Sequence, residues 1–218
     1  KKGKTAVTAT TGGGGKAQEI TVDREILAGG IVGNVEGIGL EGTTIKVDRT
    51  HIETDQWCQT AEPGVYAIGD VTGKSQLAHS ATRMGEVALN TILGKKDRFR
   101  TNAIPWAVYS MPEIAGCGMT EEQAKEAGHK VQSASLPLLM RGRFLDENGK
   151  KGPGSVKVVK DADTDVLLGV QMFGGICSEI IWGAAAMIES ELRVKDIQEI
   201  VFPHPTVGEV IRSTMFQL

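Results

Sequence analysis

The chain has 218 residues, room for one large domain or two small ones. With 40% hydrophobic and 23% charged residues it has an ordinary globular composition, and its net charge of −3 excludes the basic footprint of a nucleic-acid or anionic-membrane binder. No apolar run approaches the roughly 18 residues of a membrane span, and Lys1-Lys2-Gly3-Lys4-Thr5-Ala6-Val7 lacks a signal-peptide core, so a cytoplasmic location is the default expectation.

Residues 5–10 and 19–28 read as strands around the turn Gly12-Gly13-Gly14-Gly15. Lys16 after four glycines invites comparison with a phosphate-binding loop, but Thr10 and Ala17 stand where that loop needs Gly and Ser or Thr. Gly37-Ile38-Gly39-Leu40-Glu41-Gly42 matches GxGxxG, which binds a pyrophosphate only where it opens a helix. Here the strand-like Thr43-Thr44-Ile45-Lys46-Val47-Asp48 follows, so the match reads as accidental.

Val65-Tyr66-Ala67-Ile68-Gly69-Asp70 reads as a short apolar strand ending in a carboxylate, at the strand end where open α/β sheets bind ligands. A loop and a helix over 77–93 follow, closed by Gly94. Lys95-Lys96-Asp97-Arg98-Phe99-Arg100 reads as a solvated linker, with a domain boundary near residue 101.

Thr120-Glu121-Glu122-Gln123 is a capping box for a short helix ending at Gly128. Strands follow over 130–138, 155–160 and 166–173, with Glu147-Asn148-Gly149 and Asp161-Ala162-Asp163 as turns. A helix over 178–190, with an apolar middle, is expected to be buried in a core or an oligomer interface. Antiparallel strands with helices on one face make this half α+β.

Asp70 has two readings: an Asx turn, or a carboxylate beside a helix N-terminus that suits the hydroxyls and electron-rich ring of a flavin. Phe202-Pro203-His204-Pro205-Thr206-Val207-Gly208-Glu209 also has two. Thr206 to Glu209 spells a capping box, and the prolines fix a tight turn compatible with a cis bond at Pro205. Alternatively, His204 is a general acid–base oriented by Glu209. His51 and His129 have no partner nearby in sequence and read as surface or turn residues.

The Gly69-Asp70 and His204-Pro205-Thr206…Glu209 motifs, about 130 residues apart, resemble the C-terminal half of the flavin-dependent pyridine nucleotide–disulfide oxidoreductases, and most closely their dihydrolipoamide-oxidising branch. Met111-Pro112-Glu113-Ile114-Ala115 and Ser178-Glu179-Ile180-Ile181-Trp182-Gly183-Ala184-Ala185 resemble the opening and the long helix of the family's interface domain. The resemblance implies three parts: the end of an NAD-binding domain (1–35), a returning FAD-binding segment (36–100) and an interface, or dimerisation, domain (101–218). It implies FAD near Gly69, Asp70, Leu77, Ala78 and His79, with His79 beside the flavin but without chemistry, and NAD near Gly30. It further implies His204 and Glu209 as the catalytic pair, a homodimer in which that pair serves the opposite subunit, and lipoyl domains as partners. No metal is implied.

The sequence departs from the family pattern at Ile31 and Gly33, where many relatives carry Arg and Pro. A terminal cysteine pair of the mercuric-reductase kind is missing, and Val210 replaces a second acidic residue typical of glutathione reductases. Cys58, Cys117 and Cys177 lie 59 and 60 residues apart, too scattered for a redox pair or a zinc site. With neither that pair nor the FAD and NAD fingerprints, the chain is expected to be a C-terminal fragment, inactive alone. The rival expectations are another member of the family, glutathione- or mercuric-reductase-like, and a purely structural dimerisation module.

Overall fold

The structure, a computed structural model, describes residues 5–9, 18–24 and 26–218. Strands β1 (Thr5–Ala9) and β2 (Gln18–Val22) pair antiparallel, Thr5 opposite Val22. The glycine turn expected between them lies outside the described residues. The second strand was expected to reach residue 28 but ends at Val22. Ile26 and Leu27 are each 91% exposed, and an apolar sequence without a neighbouring edge to bond has nothing to hold it as a strand.

The GxGxxG glycines sit in turns, and no helix opens after them. Instead β3 (Val47–Asp48) and β4 (His51–Ile52) form a short hairpin. The expected strand 65–70 is corrected. Tyr66 makes a single bridge to Gln59, and Gly69–Thr72 turn into one 3-10 turn. Only one residue of an edge is available there, too little for a ladder.

Helix α1 (Ala78–Ile92) follows, with Gly94 at φ +70 after its end. Its buried Met84, Val87 and Ala88 close a small core with Cys58 and Phe99. The 95–100 segment is only in part the solvated linker expected from its charges: Lys95, Lys96, Arg98 and Arg100 are exposed, but two residues turn inward. Phe99 is buried and donates its N–H to Gln56 O, while Asp97 accepts from Arg83 at 2.5 Å and Asn90 at 2.8 Å. Helix α1 thus draws that one ring and that one carboxylate inward.

The remainder is built on β5 (Trp106–Val108), β6 (Ile114–Gly118), β7 (Val131–Pro137), β8 (Ser155–Asp161) and β9 (Leu167–Phe173). The sheet order is β5-β6-β9-β8-β7, and every pair is antiparallel. Alternation turns Ala115, Cys117, Val156, Val158, Val170 and Met172 to one face, where they are buried. Helices α4 (Cys177–Glu189) and α6 (Glu209–Met215) cover that face through Ile181, Ala184, Ile188, Val210, Ile211 and Met215. The expected α+β arrangement of an antiparallel sheet flanked by helices is therefore present.

Helix α2 (Glu121–Glu126) begins at the expected capping box, with Thr120 Oγ1 accepting from Gln123 N and Gln123 Oε1 from Thr120 N. Helices α3 (Gly142–Asn148) and α5 (Val194–Glu199) were not expected. Glu147-Asn148-Gly149 is the end of α3, and its sole fully buried residue, Phe144, drives into the core.

Candidate active site

His204 and Glu209 meet. The imidazole Nδ1 lies 2.9 Å from Glu209 Oε2 and 3.2 Å from Oε1. The flanking prolines hold the His204 backbone, with the His204–Pro205 bond cis, and place the ring outside α6. The histidine side chain is 79% exposed, whereas the Glu209 side chain is only 13% exposed. With Nδ1 engaged by a carboxylate, Nε2 faces outward as the nitrogen able to accept a proton.

The capping-box reading of this segment is corrected. Gly208 is the N-cap residue and makes no side-chain cap, and Thr206 Oγ1 donates back to Pro203 O at 2.7 Å. Glu209 instead turns its carboxylate to the histidine.

A further group joins from far along the chain. Arg141 Nη1 lies 3.4 Å from Glu209 Oε1, the two residues being 68 positions apart. Sequence reasoning missed it, and no local signal could have found it, since the pairing exists only once β7 and α6 are packed. Arg212 lies nearby but donates to Gln198 O and stacks over Phe216 at 5.0 Å. A cavity of about 240 Å³ opens beside Glu209, lined by Arg141, Phe202, Arg212 and Ser213 among others.

The flavin-side residues form a separate group on the α1 unit. Gly69 has φ +76, a conformation that favours glycine, and its N–H points at Met84 Sδ 3.1 Å away. Thr72 Oγ1 donates to Gly69 O at 2.8 Å, so the 3-10 turn is tied down against α1. Asp70 is exposed, with no hydrogen bond to its carboxylate among the described residues. Leu77 at the N-cap offers no side-chain cap and the first turn of α1 has no acidic residue, so its N–H groups are free to meet a ligand. Ala78 is exposed, and His79 Nε2 is 2.8 Å from Pro105 O. A free carboxylate beside free helix N–H groups is a donor and acceptor set that fits the polyol chain and pyrimidine edge of a flavin.

Gly30 lies in an exposed loop at φ +101 with open space where a Cβ would stand. Gly33, by contrast, is required, since a Cβ there would fall on the Thr50 carbonyl oxygen. Neither His51 nor His129 has a partner nearby in sequence, as expected, but both are half-buried rather than surface residues. His51 is half-buried against Gly73, with a buried Nε2 that lacks a partner among the described residues. His129 does have a partner, Asp161, whose Oδ2 is 2.6 Å from Nδ1 across 32 residues of chain.

All three cysteines are free and buried. Burial pushes the Cys117 and Cys177 thiols up to about 12 and raises Cys58, so none is poised as a reactive thiolate. A larger cavity, about 940 Å³, lies between α1 and α4 beside His79, Arg83, Phe99 and Ala186 and includes neither member of the dyad.

The family profile described as pyridine nucleotide-disulphide oxidoreductase, dimerisation domain, matches residues 104–215, and that of pyridine nucleotide-disulphide oxidoreductase matches residues 1–85. The chain is 38% identical to the dihydrolipoyl dehydrogenase of Cupriavidus necator over 97% of this chain and 44% of that protein. It is 42% identical to the dihydrolipoyl dehydrogenase of Thermus scotoductus over 90% of this chain and 42% of that protein. Among solved structures, LpdA from Mycobacterium tuberculosis superposes with a TM-score of 0.84 at 25% identity, over 92% of this chain and 44% of that one. The HOCl-induced flavoprotein disulfide reductase RclA from Escherichia coli shares the fold, with a TM-score of 0.83 at 24% identity over 98% of this chain and 48% of that one. The chain thus spans less than half the length of the curated relatives it matches. Its two family matches and its antiparallel sheet unit make one conclusion: this chain belongs to the FAD-dependent pyridine nucleotide–disulphide oxidoreductases and carries the family's dimerisation domain.

Proposed function

We propose that this chain is the C-terminal part of a dihydrolipoamide dehydrogenase and contributes its acid–base dyad. The carrying observation is the contact of His204 Nδ1 with Glu209 Oε2 at 2.9 Å on a proline-held, exposed segment. Nε2 of His204 takes the proton from a dihydrolipoyl thiol, and Glu209 holds Nδ1–H and steadies the imidazolium that forms. FAD, when bound, relays the electrons of the dithiol to NAD. Asp70 and the α1 N-terminus at Leu77, Ala78 and His79 hold the flavin, and the loop at Gly30 lies on the NAD side.

On this reading residues 1–35 close the NAD-binding domain, 36–100 return to the FAD-binding domain and 101–218 form the interface domain. The enzyme is a cytoplasmic homodimer in which each dyad serves the opposite subunit, and its macromolecular substrates are lipoyl domains. The isolated chain, with no redox cysteine pair, is inactive in dithiol turnover.

The test is His204→Gln in the complete, FAD-loaded enzyme. Dihydrolipoamide turnover should fall by roughly 10²- to 10⁴-fold, the worth of a positioned acid–base. An NADH-to-dye reaction that bypasses the dithiol should be retained, and equal losses in the two assays would count against the assignment.

A second reading, a self-associating module without catalysis, is supported by the exposed apolar residues Tyr109, Met111 and Trp182, at 81%, 100% and 68%. Sedimentation of the chain over a range of concentrations should show a dimer, and a concentration-independent monomer would sink that reading.

A further inference from the structure

We propose that Arg141 is the positioning residue of the dyad, holding one oxygen of Glu209 so that the other stays on His204. The inference rests on the acid–base reading above. Glu209 has two oxygens and two partners: Oε2 is the nearer to His204 Nδ1, at 2.9 Å, while Oε1 lies 3.2 Å from the same nitrogen and also meets Arg141 Nη1 at 3.4 Å. The partners differ in burial. His204 is largely in solvent, whereas Arg141 and Glu209 are 20% and 13% exposed, so their attraction is screened far less than that of a surface pair.

Arg141 is itself held. It occupies the N-cap position of α3, its N–H donates to Leu138 O at 2.9 Å, and Leu138 and Phe144, three residues to either side, are fully buried. Its Nε is buried without a hydrogen-bond partner among the described residues. A guanidinium kept partly unsatisfied is costly, and such costs persist where a group is needed in one place. Among the described residues no other cation meets the Glu209 carboxylate. Arg212, one helical turn from Glu209, donates instead to Gln198 O and stacks on Phe216. Without Arg141, the Glu209 carboxylate borders a cavity of about 240 Å³ and is free to rotate away from Nδ1.

The experiment compares variants of the complete, FAD-loaded enzyme. Arg141→Gln should lower kcat for dihydrolipoamide by roughly tenfold to a hundredfold, as loss of an orienting partner does, while KM and the NADH-to-dye rate stay near wild type. Arg141→Lys, which keeps the charge, should recover turnover relative to Gln. Arg143→Gln, two residues along in an exposed pair with Glu147, should match wild type in both assays. If Arg141→Gln does not fold, Arg141→Met keeps the buried stem and serves as the neutral variant. Wild-type turnover in the neutral variant, with His204→Gln and Glu209→Gln both impaired, would overturn the inference and leave the acid–base reading standing. Equal losses in both assays, or a Lys variant as slow as Gln, would mark a merely structural residue and overturn it as well. Wild-type dithiol turnover in His204→Gln would remove the acid–base reading itself.

Discussion

The α1 unit and the sheet unit both leave apolar residues exposed but differ in the core they enclose. The sheet unit encloses one continuous core, from Ala115 on β6 to Met215 on α6, and the His204–Glu209–Arg141 cluster stands on its rim. The α1 unit has only a thin core of Cys58, Met84, Val87, Ala88 and Phe99, and leaves Leu89, Ile92 and Leu93 at 56%, 62% and 58% exposure. A closed core holds its rim residues in one geometry, so the dyad is fully formed. An open one fixes a single turn, so Asp70 is placed but its ligand partners are not gathered around it. Of the two proposed sites in this chain, the acid–base pair meets within the chain, and the flavin site supplies one wall.

Core truncation tests that contrast most strongly. Phe144→Ala empties space packed against Leu138 and the positions of Gly154 and Gly175, and should cost about 3–5 kcal/mol in the sheet unit. Met84→Ala should cost about 2–5 kcal/mol and act on the α1 unit, where Met84 sulfur also meets the Gly69 N–H. Hydrogen exchange separates the two. The first variant should lose protection in β8 and β9, the second in α1. Protection lost equally over both units in either variant would show one cooperative body and break the comparison.

A smaller effect sharpens it from the acid side. His129 beside Asp161, with the N–H groups of Thr164 and Asp163, lowers the Asp161 carboxyl from 3.8 to about 2. Because the folded value is depressed, the ionised carboxylate stabilises the fold above pH 3.8, and that contribution is lost as pH falls through about 2. Urea midpoints of wild type and Asp161→Asn should therefore converge across that window. A constant difference down to the lowest pH would refute the assignment. The effect belongs to the β7–β8 end of the sheet, so α1 protection should not follow it.

Much of the sheet unit was legible in the sequence. Strands β7, β8 and β9 and helix α4 fell within one or two residues of their expected bounds, because alternation and helical spacing report which face is buried. Helix α3 was hidden because its Glu147-Asn148-Gly149 end reads as a turn and a single phenylalanine carries its burial. The 65–70 segment failed as a strand for the opposite reason: its residues suit a ladder, but only Gln59 is there to pair. Of the candidate site, the residues of the proline-marked run left His204 and Glu209 with two readings, and only the family resemblance singled them out as a pair; the structure brings them within 2.9 Å.

The sequence by itself determined the periodicities, the Thr120 cap and the two short motifs, since each depends on residues close together along the chain. Only the tertiary structure decided whether Glu209 would cap its helix or hold a histidine, that His129 would find Asp161, and that Arg141 would reach across 68 residues to the same carboxylate. Those choices depend on which charged groups the packed core brings within a few ångströms of each other, and a one-dimensional pattern carries no record of that distance.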